Sequence, residues 1–330
     1  MNVIISGRSV ALLLWAGALF SATGATSAVY GQTYPTKPIR IIEPAGPGSS
    51  VDVFARKVAA GLTERLGQQV IVLNRPGANS AIGAKEAASA APDGYTVLHA
   101  NTNNMLNDLL SADTCCRLNE AFVPVTHLTT TPLIMVVHPS LPAANVKEYI
   151  ALAKSKPQLL TYASGGTGSI TQLQGEHINT RAGISVRDIA YKAIGAELPD
   201  LIGGQVMTAY LNPVVVAQFI LSGKLRALGV AGPSRLSVIP AVPTLAEAGL
   251  PGVEALVWNG LFVPAGTPQA IIDRLHLETA RTLNTPLMKT DAANQSYELS
   301  GDGGKEFAAF VRSVMSKWAK VIKDANIKLE

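Results

Sequence analysis

Twice along this chain an apolar strand runs into a glycine and serine loop and from there straight into a helix start, and this repeated unit limits the possible folds more than any other feature. Ile39 to Ile42 lead into Pro44, Gly46, Pro47, Gly48, Ser49 and Ser50, then into an amphipathic helix from Val51. Leu159 to Ala163 lead into Ser164, Gly165, Gly166, Thr167, Gly168 and Ser169 before another helix. The first N–H groups of a helix have no intrahelical acceptor, and the aligned peptide dipoles add partial positive charge, so each loop is a place to hold an anion. Two such loops suffice to grip one ligand from both ends. A helix terminus contributes about 0.3–1 kcal/mol to a charge, ~2 kcal/mol in a partly buried site. Micromolar affinity takes about 8 kcal/mol, so charge-assisted hydrogen bonds and exclusion of water must supply the rest.

The surrounding pattern is α/β. Val51, Phe54, Ala55, Val58, Leu62 and Leu66 recur at helical spacing, and Gly67 is placed to end that helix. Val70 to Leu73 read as a short buried strand, Asn74 to Ala78 as a turn, and a small-residue helix follows to about Ala90 before the strand Tyr95 to His99. Strands alternating with helices at this interval predict parallel sheets covered on both faces, with ligands beyond the carboxyl ends of the strands. A second series starts with the strand Leu133 to Val137 and the helix Val146 to Ser155, which Asn145 and Glu148 cap. It continues through strands at Leu159 to Ala163, Ile189 to Tyr191, Val206 to Leu211 and Leu225 to Val230, and an apolar strand returns at Leu256 to Phe262. In the last helix Phe307, Phe310, Val311, Val314, Trp318, Val321 and Ile322 form one stripe, which is core packing.

Composition narrows the class. With 48% apolar and 15% charged residues in 330, the chain is globular and long enough for two domains. Its formal charge of +4 comes from scattered Lys and Arg, which argues against nucleic acid as a partner and suits a small anion. Arg8, the apolar run Val10 to Phe20 and the small residues through Ala28 read as a secretory signal peptide over 1–32, cleaved between about Ala25 and Gln32. Cys115 and Cys116 are adjacent, so they are either free loop thiols or a vicinal disulfide, and they make no metal site. No Gly-x-Ser-x-Gly elbow is present, and His99, His127, His138, His177 and His276 form no motif, which counts against a hydrolase. Gly165 to Gly168 lack the lysine of a nucleotide-phosphate loop, and no cofactor or metal is expected.

Ordered blocks along the chain resemble the substrate-binding proteins of tripartite tricarboxylate transporters, the Bug receptors. The blocks are Tyr34 to Arg40, the loop Pro44, Pro47, Gly48 and Asp52, the turn Asn74 to Ala78, Ala91 to Tyr95 and the loop Ala163 to Ser169. Further matches fall at Gly203 to Val206, Gly223 to Ala227, Pro243 to Pro251 and Pro264 to Pro268, so the resemblance spans nearly the whole chain after the leader. It implies a two-lobed periplasmic binding protein of type II-like architecture, each lobe a mostly parallel sheet flanked by helices, with the ligand cleft between them. The lobes are placed at 33–131 plus 258–330 and at 132–257, with crossings near Thr129 to Leu133 and Leu256 to Asn259.

The implied function is capture of a small carboxylate, aromatic or dicarboxylic, and its delivery to membrane permease subunits by a monomer that is not an enzyme. Carried over by position, Gly48, Ser49 and Ser50 hold one anionic group and Ser164, Gly165, Gly166, Thr167, Gly168 and Ser169 the other. Asp52 is read as the third helical residue behind a Ser49 cap, or as a partner for a ligand amine. Asn101, Asn104, Asn212 and Trp258 are candidates for ligand contact, the first two having helix capping as the other reading. Ala45 stands where an aromatic is common, Ala193 where glycine often follows Tyr191 and Lys192, and Leu211 where many relatives carry an acid, which implies a roomier, less polar pocket suited to an aromatic acid. The rival readings are an exported hydrolase of a small ester or amide and a ligand sensor for a signalling kinase.

Overall fold

The apolar runs assemble into two sheets in a computed structural model that describes residues 34–111, 116–191, 196–325 and 327. The expectations for the leader 1–32, for Cys115 and for the Lys192 and Ala193 pair lie outside those residues, while Cys116 is buried. The body from Lys37 onward carries every element named below.

The strands are β1 (Ile39–Glu43), β2 (Val70–Asn74), β3 (Thr96–Asn101), β4 (Phe122–Pro132), β5 (Ile134–Val137), β6 (Thr161–Ser164), β7 (Arg187–Ala190), β8 (Thr208–Leu211), β9 (Arg226–Val230), β10 (Leu256–Pro264) and β11 (Glu298–Leu299). The helices are α1 (Ser50–Leu66), α2 (Ala81–Ala88), α3 (Thr102–Leu110), α4 (Leu118–Ala121), α5 (Val146–Ser155), α6 (Ile170–Ala182), α7 (Leu198–Ile202), α8 (Pro213–Leu221), α9 (Gln269–Leu283), α10 (Pro286–Gln295) and α11 (Gly304–Asp324).

The first sheet has the order β11-β4-β10-β3-β1-β2 and the second β7-β6-β8-β5-β9. Both are mixed, where the sequence pattern predicted mostly parallel sheets. β1 pairs parallel with β2 and β3, and β6 with β7 and β8, whereas β4, β5 and β10 run antiparallel to their neighbours. The reason is the path of the chain. It leaves the first sheet along β4, enters the second along β5 and returns along β10, so β5 and β10 run against the strand–loop–helix units while β4, antiparallel to β10, runs with them.

The central strands are wholly buried. Every residue of β3 and β5 is inside, as expected of strands covered on both faces. α1 buries Phe54, Ala55, Val58, Ala59, Leu62 and Leu66 and ends at Gly67, whose φ of 67° is the left-handed cap expected of glycine. The α11 stripe buries Phe307, Val311, Trp318 and Val321, and Trp318 is a core residue. β4 escaped the sequence reading. Its FVPVTHLTTTP is polar, but its four threonines and two valines suit a pleated surface, and Pro124 is tolerated because β11 covers only Thr129 and Thr130 on that edge.

The register decides where the chemistry lies. Asn101 at the end of β3 pairs with Asn259, Pro132 at the end of β4 with Leu256, and Ile134 at the start of β5 with Leu211 at the end of β8. The carboxyl ends of β1, β3, β6 and β8 therefore converge on the crossing strands.

Candidate functional site

A cavity of about 380 Å³ opens at this convergence, within the roughly 300–1,000 Å³ range of small-ligand pockets. Gly48, Ser50 and Val51 form its edge, Phe54 and Tyr297 an aromatic wall, and Thr129, Thr131, Val257 and Asn259 the side built by the crossing strands. Asn212 and Val214 face it from the second sheet.

Local sequence builds the edge. Gly48 takes a φ of 80°, open to glycine at little cost, and turns the chain so that Ser49 becomes the extended cap of α1. Ser49 Oγ accepts from the Asp52 amide at 3.3 Å, and Asp52 Oδ2 accepts from the Gly48 amide at 2.8 Å. The Val53 amide goes to the Ser49 carbonyl. That leaves Ser50 and Val51 as the first-turn amides at the cavity edge among the described residues.

Asp52 itself is turned inward. It is 2% exposed and also takes Arg56 Nε at 3.1 Å and Asn74 Nδ2 at 2.8 Å. Burial opposes its ionisation, but the hydrogen bonds from Arg56, Gly48 and Asn74 outweigh that and hold its pKa below the ordinary value. Asp52 braces the loop and does not line the cavity. The helix-start reading is the one its geometry fits.

Behind the Asn259 wall lies a buried polar chain. His99 Nδ1 meets Glu43 Oε2, His99 Nε2 lies 3.1 Å from Asn259 Oδ1, and Asn259 Nδ2 donates to Thr129 Oγ1 at 2.6 Å. The other Glu43 oxygen accepts from the Ala45 amide at 3.0 Å. Burial pulls the His99 pKa down, but the Glu43 charge and hydrogen bond, with Asn259 and Asp52, carry it above the ordinary histidine value. Elsewhere in the lining Lys57 Nζ pairs with Asp291 Oδ1 at 2.5 Å and Tyr297 donates to Asp291 Oδ2 at 2.6 Å.

The second glycine loop is absent from the cavity lining, and its own bonds explain why. The Gly165 amide donates to Thr171 Oγ1 at 2.9 Å, Gly166 to Ser164 Oγ at 3.2 Å and Gly168 to Gln172 Oε1 at 2.7 Å. Ser169 caps α6 through the Gln172 amide, Ser164 is fully buried against Asp188, and Thr167 is exposed. The loop does sit at the end of β6, beside β8, whose end carries Asn212.

Three further candidates are corrected. Trp258 is fully buried, packed edge-on against Phe307 at 5.6 Å and Phe310 at 6.3 Å. Strand alternation sends Val257 and Asn259 to the cavity and the residue between them to the core. Asn101 and Asn104 form a reciprocal capping box on α3, with Asn104 Nδ2 donating to the Ser80 carbonyl, so both amides are spent on structure. Asn212 does reach the cavity. It occupies the α8 cap position without making a cap bond, and its Oδ1 is buried with no partner among the described residues. Leu211 is wholly buried and Ala45 lies outside the lining.

Lys57, Thr129, Thr131, Asn259, Asp291 and Tyr297 were not singled out from sequence. Only the alternation around Trp258 held a signal for any of them. Chemically the lining offers donors at the start of α1, at Thr129 and at Asn259, beside the Lys57–Asp291 ion pair. The histidine behind the wall is bonded to a carboxylate and an amide rather than to a hydroxyl, so no activated nucleophile faces the cavity among the described residues.

Comparison with known proteins gives a consistent result. The model of the tripartite tricarboxylate transporter family receptor matches residues 54–327. BugT of Bordetella pertussis is 33% identical over 321 residues, covering 97% of this chain and 98% of its own. Among solved structures, Rpa4515 of Rhodopseudomonas palustris with adipate superposes with a TM-score of 0.80 at 29% identity, over 89% of this chain and 99% of that one. MatC from the same organism with bound malate gives 0.77 at 27% identity, over 88% and 100%.

Proposed function

The chain belongs to the tripartite tricarboxylate transporter receptor family, whose members are periplasmic solute-binding receptors and not enzymes, and from that premise we propose that it captures a small dicarboxylate and delivers it to the permease subunits of a tripartite transporter. The observation that carries the proposal is the cavity edge, where the α1 N-terminus presents Ser50 and Val51 opposite the Asn212 amide. One carboxylate sits against the open amides of Ser50 and Val51, with Gly48 at its edge and Ser49 kept as the helix cap. The second lies toward the other sheet, at Asn212 and the loop 164–169. Adipate and malate in the related structures are dicarboxylates of a size the cavity admits.

In this reading the lobes 33–131 plus 258–330 and 132–257 close on the ligand, and the protein works as an exported monomer. Closure exchanges the internal bonds of the second glycine loop for bonds to the ligand. Thermal unfolding with adipate, malate, benzoate and a neutral diester tests the class. A ligand present at about 100 times its Kd stabilises by about 2.7 kcal/mol, so a binding dicarboxylate raises Tm clearly while the diester does not. Stabilisation by benzoate alone, or turnover of the diester, overturns the proposal.

A further inference from the structure

Four side chains drawn from β1, β3, β10 and β4 form one hydrogen-bonded line behind the cavity: Glu43, His99, Asn259 and Thr129. Its inner end is fully buried, with Glu43 and His99 both at 0% exposure, and its outer end, Asn259 and Thr129, lines the cavity. A line of this kind can run in two directions, and the direction decides what the cavity offers a ligand.

If His99 is neutral and keeps its proton on Nδ1 for Glu43, then Nε2 is a lone pair. The Asn259 amide must then turn its NH2 toward His99, its oxygen faces Thr129, and the Thr129 hydroxyl donates inward. The cavity is left with an oxygen lone pair, which repels an anion. If His99 is an imidazolium, every bond points outward. Nδ1–H donates to Glu43, Nε2–H donates to Asn259 Oδ1, Asn259 Nδ2 donates to Thr129 Oγ1, and both the Thr129 O–H and the second Asn259 N–H are free to donate into the cavity.

The orientation of the Asn259 amide is that of the second direction. Asn259 Nδ2 to Thr129 Oγ1 is 2.6 Å, and Asn259 Oδ1 is the atom facing His99 at 3.1 Å. The charged neighbours agree with it. Glu43 on β1 and Asp52 on α1 both favour the cationic ring, the Phe54 ring on α1 stacks at 6.4 Å, and β10 contributes only the Asn259 amide. Glu43 also receives the Ala45 amide, which fastens the first loop to the same line.

We propose that Glu43 and His99 are positioning residues that set the polarity of this line, so that Asn259 and Thr129 present two aligned donors to a ligand carboxylate. The inference rests on the carboxylate-receptor reading, and the experiment separates the two. Nitrogen-15 spectra of the histidine rings in the unliganded protein at neutral pH report both His99 nitrogens protonated in the wild type and one unprotonated in Glu43→Gln. A wild-type His99 whose Nε2 carries no proton overturns the inference whatever binds.

Calorimetric titration with adipate then shows Glu43→Gln and Thr129→Val weaker than wild type by on the order of tenfold to a hundredfold, the loss expected for hydrogen bonds to a charged group. Thr129→Ser, which keeps the hydroxyl, stays within a few-fold. If Glu43→Gln does not fold, the Thr129→Val and Thr129→Ser pair carries the binding test. Adipate affinity unchanged in Thr129→Val, or equally weakened in Thr129→Ser, overturns the inference. If the wild type takes up neither adipate nor malate, the dicarboxylate reading falls, and the ring spectra alone decide the polarity of the line.

Discussion

At the scale of single residues, what surrounds a side chain decides the work it does. Asp52 is ionised and spent on its own loop. Its pKa lies below the ordinary value of 3.8, so the stability it contributes is fully present above the unfolded pKa and is lost as pH falls through the folded one. Asp52→Asn should therefore cost about 1–2 kcal/mol at neutral pH, the size of a lost helix cap. The gap to wild type should shrink in acid, as urea unfolding at pH 7 and pH 3 would report. A gap of equal size at both would mean that the charge is not what matters. Trp258 makes the opposite case, a conspicuous residue with a structural role. Trp258→Ala should destabilise by about 3–5 kcal/mol, as truncation of a large buried aromatic does, while the folded protein keeps its adipate affinity within a few-fold. Denaturant unfolding and calorimetry on the same sample separate the two effects.

At the scale of elements, the two glycine loops look alike in sequence and differ in how their amides are used. The first leaves the opening amides of α1 at the cavity edge, whereas the second has Gly165, Gly166 and Gly168 satisfied by Thr171, Ser164 and Gln172. Gly48→Ala should cost about 1–2 kcal/mol, because a side chain at a φ of 80° is strained, and should also weaken adipate by displacing Ser50. Both readouts come from one thermal and calorimetric comparison. Gln172→Ala releases the Gly168 amide, and if that loop is a second cup, adipate binding should strengthen rather than weaken. A weaker variant would mean that the side chain holds the loop in its binding shape.

At the scale of the whole molecule, the crossing strands β4 and β10 both join the sheets and line the cavity, so ligand binding and lobe geometry share the same residues. Adipate should therefore reduce the radius of gyration measured by small-angle scattering. An unchanged radius with tight binding would sink the closing-lobe proposal and leave a preformed site. Lys57 and Asp291 show how far apart in sequence the wall is drawn: 234 residues separate the two partners of one ion pair.

The sequence by itself determined the local units. Apolar runs marked β1, β2, β3, β5, β8, β9 and β10, helical spacing marked α1 and α11, and the order glycine, serine, helix marked the helix start at Gly48 to Ser50, because each of these depends on residues within one or two turns of one another. Only the tertiary structure decided that both sheets are mixed, that the threonine-rich β4 is a strand, that Asn101 and Asn104 cap a helix and Trp258 is core, and that Asn259, Thr129, His99 and Glu43 stand in one line. Those outcomes turn on strand direction, on which face of a pleat looks outward and on pairing between distant segments, and none of these is carried by local spacing. The Gly-rich loop at 165–168 shows the limit most clearly, since the side chains that occupy its amides decide whether a ligand can.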